Sequence, residues 1–238
     1  MNVNFNLVGL VAAAQTGAAK DASFEQVIAA VEKNLNLDDF SSELEIAYSK
    51  GGKVWTAHLH SSSEGSGLKI AEFYGRQDLV YRRKGEQFSQ RNKGATQFFA
   101  LGEEASKAGV FQTDYSFKDV LELTRLTADY NRVVFEKSNL DGKSCYHIVL
   151  KAKPGKNPFY DKREMWVDPQ TMVPVRMDVF GSTGQKLKTI SVTKTQLFKG
   201  INYPVEITVK SALRETETRI AIMNLRTLEQ GKILKYRD

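Results

Sequence analysis

Apolar and polar residues alternate with a period of two along most of the chain, which is the pattern of β-strands with one buried face. Turn signals separate these runs, among them Gly51-Gly52 and the pair Asp141-Gly142, a dipeptide that favours a tight hairpin. The pattern predicts an antiparallel meander. Its predicted strands cover residues 44–48, 54–60, 68–74, 79–83, 132–137, 145–152, 164–167, 173–180, 186–197, 205–213 and 218–228.

Two segments follow a helical spacing instead. Between residues 96 and 130, apolar positions recur at helix-like intervals, and Ser116 three residues before Asp119 is typical of a helix start. We therefore predict one or two short helices inserted between strands. A separate amphipathic helix is predicted near the N-terminus, with Ser23 as its N-cap and an apolar stripe of Phe24, Val27, Ile28, Val31 and Leu35.

Many antiparallel strands with few helices are typical of a sandwich, a closed barrel or a strongly curved sheet. The inserted helices favour the curved sheet, because a sheet that wraps around its own helices shelters an apolar space, whereas a small closed barrel fills with side chains. No repeat, low-complexity tract or linker divides the chain. We predict a mainly β fold of the α+β type, with residues 20–238 in one domain.

The first 19 residues contain no charge, and the apolar run at residues 7–14 is followed by small residues. This resembles a secretory signal in which Ala12 and Ala14 provide a small-x-small cleavage pattern. The run is too short to span a bilayer. No Lys or Arg precedes it, so a truncated leader, a mis-chosen start or an ordinary N-terminal segment are alternatives. We predict export, with residues 1–19 as a signal peptide or a disordered segment.

The formal net charge is +6, which bears on association rather than on fold. Basic clusters are interleaved with acidic residues, so we interpret them as solvated strand edges and turns, with docking to an acidic partner or an anionic membrane surface as the alternative. The basic segment at residues 81–88 contains too few aromatic residues for a stacking platform. No nucleic-acid binding is predicted.

Few residues suggest chemistry. Cys145 is the one cysteine, and although His147 shares its strand face, no third orienting group is evident; a buried thiol is therefore predicted. His58 and His60 share a strand face but lack the third ligand that a zinc site requires. The sequence contains no motif of a hydrolase nucleophile, a zinc protease or a nucleotide site. We predict no catalytic residue, no metal and no cofactor.

The most specific run of the chain lies at residues 160–190. Its Trp166, Asp168 and Pro174 occur in the order "WVD…PV…G…LKT", which resembles the outer-membrane lipoprotein-sorting proteins, relatives of the periplasmic lipoprotein carrier LolA. Weaker similarities lie in DYSFKDVL at residues 114–121 and GINYP at residues 200–204. The resemblance is clearest from residue 114 to residue 228.

The resemblance implies a strongly curved antiparallel sheet that forms a half-open barrel with an N-terminal helix and inserted lid helices. It also implies a non-enzymatic periplasmic carrier that binds lipoprotein acyl chains, or another lipid, in an apolar hollow. Such a carrier needs apolar area, because each buried methylene is worth about 0.8 kcal/mol. Its implied partners are an inner-membrane exporter and an outer-membrane acceptor, and we expect a monomer. The alternative is an envelope sensor of the same fold that binds lipid or lipoprotein and signals to a membrane partner.

The apolar faces of the predicted strands supply the candidates for lining this hollow. Any one of these residues is explained by ordinary packing in the core, so the prediction of a ligand-binding hollow depends on the whole group. The group exceeds what a few short helices need to cover. It consists of Trp55, Ala57, Leu59, Phe73, Tyr146, Ile148, Leu150, Trp166, Val175, Met177 and Val179.

Overall fold

The structure is a computed structural model, and it describes residues 21–64, 68–73, 76–84, 87–92, 94–100, 113–116, 119, 125–156 and 158–228. In the strands between residues 54 and 100 it describes mainly the backbone. The signal peptide predicted at residues 1–19, and much of the segment predicted to form lid helices, lie outside the described residues.

The described residues form two helices and thirteen strands. The helices are α1 (Phe24–Leu35) and α2 (Leu126–Asp129). Neither helix is long and apolar enough to cross a membrane. The strands are β1 (Phe40–Lys50), β2 (Lys53–Glu64), β3 (Leu68–Phe73), β4 (Arg76–Lys84), β5 (Gln87–Asn92), β6 (Ala95–Ala100), β7 (Tyr130–Leu140), β8 (Lys143–Ala152), β9 (Lys162–Val167), β10 (Pro174–Phe180), β11 (Lys186–Phe198), β12 (Ile201–Ser211) and β13 (Thr216–Thr227).

All of these strands belong to one antiparallel sheet, in the order β6-β5-β4-β3-β2-β1-β13-β12-β11-β10-β9-β8-β7. The pairing of β1 with β13 joins the early and late strands of the chain into one surface. The edge strands β6 and β7 are not paired with each other, so the sheet is open. Register shifts interrupt several ladders, including those of β9 with β10 and β11 with β12, and such bulges bend the strands.

All eleven predicted strands match the structure to within about four residues at each end; boundaries of this kind are the least reliable part of a sequence-based prediction. The Asp141-Gly142 turn is also confirmed: both residues have positive φ, 51° and 83°, as a tight hairpin turn requires. The helical interpretation of residues 96–100 is wrong. These residues form β6, which pairs with β5 through Phe88 and Phe99, because tertiary pairing overrides local spacing.

Helix α1 begins with the predicted cap. The Ser23 hydroxyl accepts a hydrogen bond from the backbone N–H of Gln26, and the Gln26 side chain accepts one from the backbone N–H of Ser23. Near the other end, buried Asn34 donates from Nδ2 to the carbonyls of Thr171 and Met172, at 2.9 and 3.0 Å. These bonds fix the helix to the β9–β10 turn. We call the sheet face on which α1 lies the inner face, and the opposite one the outer face.

Candidate functional site

A continuous row of mostly apolar residues crosses the inner face. Residues directly opposite each other in paired strands lie on the same face, so the cross-strand register identifies the row. It crosses eight strands, from β1 to β7 by way of β13. The row consists of Tyr48, Thr218, Val209, Ile190, Met177, Met165, Ile148 and Phe135.

Helix α1 covers one half of this face. Val27, Ile28 and Val31 pack into a cluster with residues of β7 to β10, including Met165 and Val167. The predicted candidates Tyr146, Ile148 and Leu150 belong to this cluster and are at most 7% exposed. The structure places these three on one face, as alternation predicted, and packs them in the core beneath α1, so their role as ligand contacts stays a prediction.

The other half of the inner face lies on β1, β12 and β13. Its residues again line up in register: Ile46 pairs with Ile220, Ile220 with Ile207, and Leu44 with Ile222. None of them belongs to the packing cluster around α1. We call this set the apolar sector. It consists of Leu44, Ile46, Tyr48, Val205, Ile207, Val209, Ile220 and Ile222.

Four of the predicted candidates extend the apolar sector by their register. Trp55, Ala57 and Leu59 on β2 pair with Tyr48, Ile46 and Leu44 in turn. Phe73 on β3 pairs with Leu59. The structure describes the backbone of these four residues but not their side chains, so their role as ligand contacts stays a prediction.

The remaining candidates divide between the two faces. Met177 packs beside the α1 cluster and Val179 is fully buried, both on the inner face. Trp166 lies on the outer face, where its ring stacks on His147 with centroids 5.1 Å apart and lies 4.9 Å from the Arg176 guanidinium. Trp166 therefore does not join the group on the inner face.

Val175 lies at a bulge, and this changes its surroundings. The register shift between Pro174 and Arg176 adds one residue to β10, so the alternation that predicted Val175 beside Met177 does not hold there. Val175 lines a groove of about 1090 Å³ together with Cys145 and other outer-face residues. The thiol of Cys145 is buried, as predicted, and burial raises its pKa.

One end of the inner face is polar, which the sequence did not predict. Arg163 and Lys188 occupy inward positions next to Val179, and both are buried. Arg163 donates from Nε to the Tyr130 hydroxyl at 3.0 Å, and that hydroxyl donates to the carbonyl of Tyr160 at 2.8 Å. The Arg163 guanidinium also lies 5.2 Å from the ring centroids of Tyr130 and Tyr160, so two tyrosines hold it at the margin of the α1 cluster.

Lys188 forms a buried ion pair with Asp119. The Asp119 carboxylate also accepts hydrogen bonds from the Tyr160 hydroxyl at 2.6 Å and from the backbone N–H and hydroxyl of Ser116, at 2.9 and 2.7 Å. Burial alone would raise the pKa of Asp119, but the charge of Lys188 and these donors outweigh it and hold the pKa below its usual range. Ser116 and Asp119 bond reciprocally, since the Asp119 N–H donates to the Ser116 hydroxyl at 3.2 Å, and Asp119 is helical, as the spacing predicted. The ion pair with Lys188 anchors this segment to the sheet.

Asp114 joins the same cluster from the chain segment before Ser116. Its backbone N–H donates to the Thr218 hydroxyl at 3.0 Å, and its carbonyl accepts from Lys188 Nζ at 3.0 Å. Its Oδ1 accepts from Arg214 and from the Thr216 hydroxyl, at 3.0 and 2.9 Å. We call the cluster at this end the polar end. It consists of Asp114, Ser116, Asp119, Tyr160, Lys188, Thr216 and Thr218.

Two half-buried phenols near this cluster, those of Tyr115 and Tyr203, are held neutral. Burial raises the pKa of Tyr203 to about 12. Burial, with the negative charge of Asp119, raises the pKa of Tyr115. Within the described part of the chain, no group of three or more His, Cys, Asp or Glu side chains is arranged to hold a metal ion. What the inner face offers a ligand is apolar surface bordered by a hydrogen-bonding cluster.

Comparison with known proteins identifies relatives of this fold. A family model described as "uncharacterized protein" matches residues 97–231, more than half of the chain. No curated protein matches. Among solved structures, a DUF1329 family protein from Desulfovibrio piger has 19% identity and a TM-score of 0.72, covering 86% of this chain and 91% of its own.

Two further solved structures share the fold. A LolA superfamily protein from Nitrosomonas europaea has 14% identity and a TM-score of 0.74, covering 90% of this chain and 97% of its own. A putative outer membrane lipoprotein-sorting protein domain from Vibrio parahaemolyticus has 14% identity and a TM-score of 0.69, covering 87% and 95%. At these identities the likeness concerns the fold, and it confirms the predicted mainly β, half-open curved sheet. The chain belongs to the family of uncharacterized proteins that the model describes, and its fold is LolA-like.

Proposed function

We propose that this protein binds the acyl chains of lipids, including those of lipoproteins, on the apolar sector, and carries them without catalysing a reaction. One observation supports this most strongly: the apolar rows of the inner face continue from β10 through β12 and β13 to β1, whereas the apolar packing cluster around α1 draws on β7 to β10. Helix α1 also touches the start of β12, where Asn34 Oδ1 accepts a hydrogen bond from the backbone N–H of Asn202 at 3.2 Å. Six of the eight residues of the apolar sector are at most 6% exposed, so the sector is an enclosed apolar lining, which is the kind of surface that a hydrocarbon-binding cavity needs.

The dimensions of the apolar sector suit a hydrocarbon chain. From Leu44 to Tyr48, β1 rises roughly 13 Å at the usual spacing of a strand. Half of a bilayer's hydrocarbon core of about 30 Å is close to that length, so one acyl chain is a reasonable match. With about 0.8 kcal/mol for each buried methylene, burial of one chain accounts for reversible binding without any specific bond, which suits a carrier that must release its cargo.

The family resemblance supports the same class of function. The similar structures from Nitrosomonas and Vibrio are described as a LolA superfamily protein and a putative lipoprotein-sorting domain. By analogy, the protein acts as a monomer in the periplasm, and takes lipoprotein from an inner-membrane exporter to an outer-membrane acceptor. Fold-level analogy of this kind supports a function class, and the site itself has to be tested.

Displacement of a fluorescent fatty-acid probe tests the proposal. Ile207→Ser and Ile222→Ser change half-buried residues of the apolar sector, where a polar side chain is tolerated better than in the core beneath α1. Each is expected to weaken probe binding about tenfold, equivalent to about 1.4 kcal/mol. Leu197→Ser is the matched control, because Leu197 is 71% exposed and lies outside the apolar sector. A control variant that weakens binding equally contradicts the assignment.

Native mass spectrometry of the protein purified from an envelope fraction supplies an independent readout. A carrier is expected to retain acylated molecules that the fluorescent probe displaces. An apo mass, together with no probe binding by the purified protein, contradicts the proposed function.

A further inference from the structure

The polar end adjoins the apolar sector directly. Thr218 stands in the inner-face row beside Tyr48, and its hydroxyl accepts the backbone N–H of Asp114 at 3.0 Å. A ligand chain lying along β1 and β13 would therefore bring its polar head to the region of Asp114. Lipids are amphiphiles, so a site that binds the chain must also satisfy or solvate the head.

The Asp114 carboxylate is only half satisfied. Oδ1 accepts two hydrogen bonds, from Arg214 and Thr216. Oδ2 is buried and has no hydrogen-bond partner in the part of the chain that the structure describes. The side chain is 2% exposed. An unsatisfied oxygen of a buried carboxylate is unfavourable, because ionised carboxylates accept several hydrogen bonds and are expensive to remove from water.

The hydrogen-bond donors around Asp114 bond to atoms other than Oδ2, so this oxygen can accept a further hydrogen bond. Lys188 directs its ammonium group to the Asp114 carbonyl and to Asp119. Arg214 and Thr216 both address Oδ1. Arg214 lies in the β12–β13 turn with its side chain 55% exposed, so Asp114 is close to the rim of the sheet, where a head group would enter.

We propose that Asp114 Oδ2 accepts a hydrogen bond from the head of the bound lipid, so that the site selects acyl lipids whose head carries an N–H or O–H donor. This inference rests on the proposed function. An acyl amide or a monoacylglycerol supplies such a donor beside the chain. An ester supplies only acceptors, and the carboxylate of a free fatty acid adds a like charge beside Asp114, which is unfavourable at short range.

A set of ligands with one acyl chain and different heads tests this selectivity. Hexadecanamide and monohexadecanoyl glycerol are expected to bind wild-type protein at least about tenfold more tightly than methyl hexadecanoate or hexadecanoate at neutral pH, since a hydrogen bond to a charged group is stronger than one between neutral groups. The comparison needs no variant, so it decides the matter even where a substitution impairs folding.

Asp114→Asn sharpens the test. Arg214 and Thr216 are donors and hold the amide oxygen of the new side chain, which places its NH₂ group at the position of Oδ2. The preference is then expected to shrink or disappear, because the amide NH₂ of Asn donates to the ester carbonyl of methyl hexadecanoate, while hexadecanamide loses the acceptor for its N–H. Asp141→Asn, in the exposed β7–β8 turn, is the control and should leave the preference unchanged.

The outcomes separate the two proposals. Equal affinity for all four ligands in wild type and in Asp114→Asn means that Oδ2 holds only an ordered water, and it overturns the head-group inference while acyl binding stands. Absence of binding by every ligand overturns the proposed function itself.

Discussion

Lys188 on β11 and Asp119 form an ion pair on the inner face, and their side chains are only 9% and 8% exposed. The Tyr160 hydroxyl and Ser116 satisfy the remaining acceptor sites of the carboxylate. The pair therefore links the segment around Asp119 to the sheet at the polar end. A buried pair of this kind stabilises little in itself, but removal of one partner leaves an uncompensated buried charge.

Lys188→Met is expected to lower the free energy of unfolding by about 3–5 kcal/mol, because Asp119 then stays buried without its cation. Urea denaturation measures the loss. Lys210→Met is the matched control: Lys210 pairs with Glu217 at 3.3 Å but is 65% exposed, so about 0–1 kcal/mol is expected. Equal, small losses in the two variants would show that the Lys188 pair is solvated.

His147 gives the outer face a pH-dependent element. Its Nδ1 lies 3.0 Å from Glu136 Oε1, and its Nε2 lies 2.9 Å from Glu164 Oε1. Burial opposes charge on the ring, but hydrogen bonds to the two carboxylates outweigh burial and raise the pKa of His147 above its ordinary 6.5. Because the pKa is raised in the folded state, the stabilisation is complete below the ordinary value and is lost as the pH rises through the folded-state value.

His147→Gln is therefore expected to lose on the order of 1 kcal/mol at about pH 6 and less at about pH 9, since only the protonated ring donates to both carboxylates. Chemical denaturation at the two pH values measures this difference. Glu136→Gln should reduce the same pH dependence by removing one of the two acceptors. A pH dependence that is identical in wild type and His147→Gln would rule out the charged bridge.

The strands were predictable because most of them alternate and end at recognisable turns. β5 and β6 could not be predicted in this way. β5 is mostly polar and shows no clear apolar alternation. In β6, the apolar spacing around Phe98 and Phe99 indicates a helix until the pairing with β5 is known. The inner-face candidates on β8 were also predictable from alternation. The sequence does not predict which strands lie beneath α1. Their position depends on tertiary contacts, such as those of Asn34 with the β9–β10 turn, and these cannot be inferred from the local sequence pattern.

The polar end escaped sequence analysis for a different reason. Lys188 and Arg163 occupy inward positions of β11 and β9, but a charged residue in an alternating run is normally interpreted as solvent-facing. Their partners, Asp119 and Tyr130, are distant in sequence. The useful signal was Lys188 in phase with Ile190, because strict alternation places both on one face. Val175 is the opposite case. Alternation predicts that it lies on the inner face beside Met177, but the bulge in β10 changes its orientation.

Photo-crosslinking tests the central claim most directly. A fatty acid with a diazirine near the end of its chain is bound, irradiated, and located by peptide mass spectrometry. We predict saturable labels on the apolar sector, at Ile46, Val209 or Ile220, that excess unlabelled lipid abolishes. Labels confined to the outer-face groove around Val175, or labels that do not saturate, would contradict acyl-chain binding on the inner face.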